Sequence, residues 1–157
     1  MGPLQINQST TNIHQDAGVG YDPLLQELVR ELNATCSQGI PITLQIQAML
    51  VSGVIINGRE YYIQFAEHHI SSLGLVDAKS EEVRKHYVDM AHSLYPRVDD
   101  RKGLETQQMP AMIHLADARL YTLQGLPITS GMRLWRGKIE AVSGFLLGRI
   151  EESVPVR

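Results

Sequence analysis

The chain has 157 residues, of which 43% are apolar, and that is enough to fill one hydrophobic core. A formal charge of -3 is too small to point to a nucleic acid or an acidic substrate for the molecule as a whole. The single cysteine, Cys36, excludes an internal disulfide, no apolar run approaches the roughly 18 to 20 residues of a membrane span, and the N-terminus lacks a signal peptide's basic start and apolar stretch. The expectation is a soluble protein of the reducing cytoplasm, with no membrane partner.

Residues 1–20, MGPLQINQSTTNIHQDAGVG, are dominated by Gln, Asn, Ser, Thr and Gly. They bury too little apolar surface to offset the entropy of ordering a backbone, and read as a flexible tail. Asp22-Pro23 then opens a helix, Asp accepting from free N–H groups and Pro losing no bond at the first helical position. Leu24, Leu25, Leu28, Val29, Leu32 and Cys36 recur on one face, which makes Cys36 a buried, inert thiol, and Gly39 is the expected left-handed cap.

From Ile42 the pattern alternates. Ile42, Leu44, Ile46, Ala48 and Leu50 fall on one side and Thr43, Gln45 and Gln47 on the other, as in a half-buried strand. A second strand covers Val51 to Ile56, with Gly53 marking a bulge or a close approach, and the turn between the two is not defined by the residues. Asn57-Gly58 could make a tight hairpin. A helix fits better, because Asn57 and Glu60 have capping-box spacing, Tyr61, Tyr62, Phe65, Ala66, His69, Ile70 and Leu73 share a stripe that leaves out Ile63, and Gly74 can cap the end.

Ser80-Glu81-Glu82 opens another helix, with Val83, Tyr87, Met90, Ala91 and Leu94 at helical spacing and Pro96 as its stop. The charged stretch 96–110 lacks apolar periodicity and reads as an exposed connector within the same domain. MIHLADARLYTL follows as a long strand whose parity shifts near Ala116 and Asp117, which predicts a bulge. After the loop GLPITSG comes the strand MRLWRGKIEAV, with Trp135, Gly137, Ile139 and Ala141 opposite Arg136, Lys138 and Glu140, and Ser143-Gly144 then turns into FLLGRI to complete a meander.

The order is helix, two strands, two helices, three strands. It predicts an α+β domain over 21–152, with 153–157 as a C-terminal tail. An N-terminal helix and an antiparallel five-stranded curved sheet, or a small Sm-like barrel, would carry two helices inserted between strands two and three.

Chemistry is sparse along the chain. His86, Asp89 and His92, with Glu82 one turn earlier, are the best metal candidates, but His86 and His92 point to different sides of a helix and read as a solvated face. His68 and His69 diverge by about 100°, so one faces solvent while His69 packs at the core edge. GVGYD and GVIINGR lack the spacing that wraps backbone amides around a phosphate. Neither a cofactor nor a catalytic set is expected.

RLWRGKIEAVSGFLLGR is the most unusual segment, holding Arg133, Arg136, Lys138 and Arg149 against one acid, Glu140, and carrying the only tryptophan. Those four cations with Trp135 and Phe145 form the candidate partner-binding set, since Trp and Arg are enriched where interfaces concentrate their energy. Trp135, on the apolar side of its strand, fits a core position better than an interface, which leaves Arg136 and Lys138 to bind. From the residues alone, a small Sm-like β-barrel that binds nucleic acid through this basic strand face stays open as an alternative.

MIHLADARLY followed by RLWRGKIEAVSGFLLGRI resembles the gas-vesicle accessory protein family GvpU, and GIPITLQIQAMLVSGVIINGREYY is similar to it in order and spacing. The resemblance runs from Asp22 to Glu151 and is weakest in the N-terminal tail and the 96–110 connector. It implies a non-enzymatic cytoplasmic protein of gas-vesicle-forming bacteria. Such a protein binds gas vesicles, their shell or other gas-vesicle proteins and modulates clustering or assembly, and a homo-oligomer is compatible with that role.

Overall fold

The computed structural model describes residues 20–35, 37–97, 109–131 and 133–150. The expected tail over 1–19, the core position of Cys36, the connector over 98–108 and the C-terminal tail lie outside the described residues. Among those described, the elements run α1 (Pro23–Thr35), β1 (Ile40–Ile46), β2 (Met49–Ile55), α2 (Gly58–Leu73), α3 (Asp77–Leu94), β3 (Met112–Thr122), β4 (Arg133–Lys138) and β5 (Gly144–Leu147). The strands form one antiparallel sheet in the order β4-β3-β2-β1-β5. The two end strands do not pair with each other, so of the two expected forms the chain adopts the open sheet.

α1 starts as its sequence predicts, with Asp22 Oδ1 accepting from the N–H groups of Leu24 (2.8 Å) and Leu25 (3.1 Å). Its buried stripe is Leu25, Val29 and Leu32, while Leu24 is 61% exposed. These side chains pack on Ile42, Leu44, Val51, Ile55, Ile113, Leu115, Ala118 and Ile139, and each full burial of such a side chain stabilises the fold by about 2 kcal/mol. Gly39 is not the left-handed cap of this helix. It lies at the entrance to β1 pressed on β2, where a Cβ would come within 2.5 Å of Val54 Cγ1 and 2.7 Å of Ile55 O.

The alternation predicted to run to Leu50 breaks at a tight turn over Gln47 and Ala48, where Gln47 has φ 51° and Ile46 faces Met49. The turn moves Leu50 to the sheet face opposite Ile42 and Leu44, because Leu44 pairs with Val51 and side chains alternate. Gly53 serves both expected purposes. The β2–β3 register shifts between Ser52 and Val54, and a Cβ at Gly53 would sit 2.9 Å from Ala116 O. The bulge predicted in β3 is present, with Asp117 at φ 49° and the β3–β4 register shifting between Leu115 and Ala118.

α2 is a helix, as its capping signals require. Asn57 Oδ1 accepts from Glu60 N–H at 2.9 Å, and Gly74 at φ 61° closes the end. The box is half formed, because Glu60 Oε1 accepts from Gln64 Nε2 and does not reach back to Asn57. α3 begins at Asp77, earlier than the expected Ser80.

β4 also departs from expectation. It stops at Lys138, and a 3₁₀ turn over Ile139–Ala141 drives Ile139 into the core. β5 does not continue a meander; it crosses to the far edge and pairs with β1, with Leu44 facing Phe145.

Candidate functional site

Strand alternation sets the site. Ile113 and Leu115 point to the α1 face, so His114 between them points to the other face, beneath the α2–α3 hairpin. There it is fully buried against three tyrosines, with ring centroids 4.7 Å from Tyr61, 6.4 Å from Tyr62 and 5.6 Å from Tyr95. Tyr61 belongs to an i, i+4 ladder along α2, stacked on Phe65 at 6.1 Å, and Phe65 in turn stacks on His69 at 6.0 Å. From α3, Tyr87 sets its ring edge-on to Phe65 at 5.2 Å.

The two helices of the hairpin are tied to each other at both ends. Arg59 donates from Nη2 to Tyr95 O at 2.8 Å, and the Tyr95 ring occupies the space a side chain at Gly58 would need. At the far end Arg84 of α3 donates from Nε to Glu67 of α2 at 2.6 Å and also pairs with Glu81. The hydrogen bonds from Arg84 hold the Glu67 carboxyl below its usual pKa and raise that of Arg84.

Arg136, from the neighbouring strand β4, closes this cluster. Its Nε–H donates to His114 Nε2 at 3.2 Å, and its guanidinium lies 6.0 Å from the centre of the Tyr62 ring. Arginine only donates, so His114 Nε2 carries a lone pair and the imidazole proton sits on Nδ1, which has no hydrogen-bond partner among the described residues. Burial first, and then the Arg136 charge, push the His114 pKa down to about 3. The ring therefore stays neutral near pH 7, far from the poise of a general base. Burial likewise raises Tyr61 and Tyr95, both of which keep their phenolic protons.

Tyr61, Tyr62, Phe65, Tyr87, Met90 and Arg136 line an open notch of about 290 Å³. A second groove, of about 490 Å³, lies near the opposite edge, where Thr43, Gln45, Leu50, Leu146 and Ile150 surround the chain leaving β5. That chain is tied down by Thr43 Oγ1 donating to Gly148 O (2.9 Å) and by Ile150 N–H donating to Ser52 Oγ (2.8 Å).

The six residues proposed from sequence do not converge. Arg133, Trp135, Arg136 and Lys138 lie on β4, whereas Phe145 on β5 and Arg149 just beyond it belong to the other edge, four strand spacings or roughly 19 Å away. Trp135 is half-buried on the α1 core, its ring lying over Gly137, and Phe145 packs on the same core. Arg133 is exposed, and Lys138 is exposed but paired with Glu140 at 3.0 Å.

His69 packs at the cluster edge and His68 faces solvent. Asp89 pairs with Lys85 at 2.6 Å, which holds its carboxyl below the usual range, while His86 and His92 are exposed. His114, which sequence reading passed over, is the buried acceptor for one of the candidate cations, Arg136.

A family model described as gas vesicle protein GvpU-like matches residues 22–150. No curated protein and no solved structure matches the chain. The matched span takes in every element described above, from the cap of α1 to the chain leaving β5, and the chain belongs to the GvpU-like family of gas vesicle proteins.

Proposed function

We infer that this protein is a non-enzymatic accessory factor that works in the cytoplasm, binds gas vesicles or their shell proteins, and modulates vesicle clustering or assembly. The observation that carries this reading is the GvpU-like match over residues 22–150. The geometry agrees with it in kind. β4 is an edge strand that presents Arg133 and Lys138 to solvent with Arg136 between them, and a vesicle shell repeats one contact many times. Weak contacts of that sort, each worth about 1 kcal/mol or less at an exposed charge, gain strength through repetition.

Flotation tests the reading. The full chain is mixed with purified gas vesicles and centrifuged, and it should rise with the vesicles or change their clustering. Reversing Arg133 and Lys138 to Glu should cut the bound fraction roughly three- to tenfold at low salt. A wild-type chain that stays below the vesicle layer and leaves their clustering unchanged would remove the basis for this function.

A further inference from the structure

We propose that the notch between α2, α3 and β4 is a receptor for an acidic, apolar segment of a partner protein. An apolar side chain of the partner enters against Phe65, Tyr87 and Met90, and a carboxylate next to it in sequence meets the guanidinium of Arg136. This inference rests on the reading of the chain as a protein-binding factor, and it names the chemistry of one docking point.

Three observations carry it. Arg136 is exposed, yet no carboxylate among the described residues pairs with it; its Nε donates to His114 and its side chain also hydrogen-bonds the Tyr95 hydroxyl, so the guanidinium is held in place with N–H donors to spare for an outside acceptor. His114 is itself fully buried, so the charge it holds is pre-organised and loses little side-chain freedom on binding. Beneath the guanidinium the floor is apolar and aromatic, and the hydroxyls of Tyr61 and Tyr62 in its wall make no hydrogen bond among the described residues.

A cationic ligand, which an aromatic cage would otherwise suit, is repelled by Arg136. At about 290 Å³ and open to solvent, the notch is smaller and shallower than the roughly 300 to 1,000 Å³ sites that enclose free small molecules. A side chain presented by a larger partner needs no such enclosure.

Met90 lines the notch, and its methyl group serves as the reporter. The full chain, labelled at the methionine methyls and assigned with Met90→Leu, is titrated by NMR with the blocked peptide acetyl-Leu-Glu-Phe-amide and with its isostere acetyl-Leu-Gln-Phe-amide. The acidic peptide should move the Met90 methyl and bind about fivefold more tightly at low salt, the scale of one exposed charge-assisted contact.

Arg136→Gln should erase that difference while keeping dispersed methyl signals. Should that variant fail to fold, the wild type in high salt serves instead, where screening should bring the two peptides together. Equal affinities at low salt, a Met90 methyl that does not move, or a preference that survives both Arg136→Gln and high salt would overturn the proposal. Vesicle flotation unchanged in a folded Arg136→Gln variant that has lost the peptide preference would leave the notch intact as a receptor and separate it from the vesicle contact.

Discussion

His114 couples the aromatic cluster to pH. In the unfolded chain a histidine titrates near 6.5, whereas in the fold this one is held at about 3, so between those values the unfolded state binds the extra proton. Stability is therefore complete above about pH 6.5 and declines as pH falls toward 3, by roughly 1.4 kcal/mol for each unit, which amounts to a few kcal/mol over the window. His114→Leu should flatten the slope of unfolding free energy against pH by close to one proton between pH 6 and 4, measured by urea denaturation. Identical slopes in both chains would show that His114 is not held neutral.

The role of this residue was not legible in the sequence. Alternation shows only that His114 and Ile113 face opposite ways, while its burial depends on Tyr61 and Tyr62 fifty residues earlier and on Arg136 in the next strand. The i, i+4 rings of Tyr61, Phe65 and His69, by contrast, were visible from spacing alone, because their contacts are local.

At the scale of elements, the helix starts were readable where a cap is chemically specific. Asn57→Ala should cost about 1 kcal/mol of stability, since the bond to Glu60 N–H is the side-chain cap of α2, and a urea midpoint unchanged at constant slope would contradict that. The start of α3 was misplaced because its N-cap residue, Val76, makes no side-chain bond that could mark it.

The β1–β2 turn was hidden for a different reason. Gln47 and Ala48 carry no turn chemistry, and apolar residues continue through them, so the alternation ran on and put Leu50 on the wrong face. The crossing of β5 to β1 was equally out of reach, because a short apolar strand does not reveal which open edge it joins. The clamp between α2 and α3 gives a further test. Glu67→Gln should lower the urea midpoint slightly at low salt and leave it unchanged at high salt, whereas a salt-independent loss would mean that packing holds the hairpin.

For the whole molecule, the contrast between the sheet's two edges matters most. β4 carries Arg133, Arg136 and Lys138, charges of the kind that keep an edge strand from pairing indiscriminately, while β5 offers Phe145, Leu146 and Leu147, with Leu146 71% exposed. The order of elements and the α+β class were legible because helix and strand periods switch cleanly along the chain. The separation of the six candidate residues onto two edges was not, because sequence adjacency of RLWRGK and FLLGR suggested a common surface that the 3₁₀ turn and the crossing of β5 divide.

Photo-crosslinking to the vesicle tests the central claim, that the basic β4 edge is the docking surface, most directly. A benzophenone side chain is placed at Ser130, exposed just before β4, and for comparison at Glu31 on the outer side of α1, and each full-length chain is irradiated with purified gas vesicles. The account predicts adducts with shell protein from position 130 and few from position 31. Equal labelling from both positions, or adducts from position 31 alone, would contradict it.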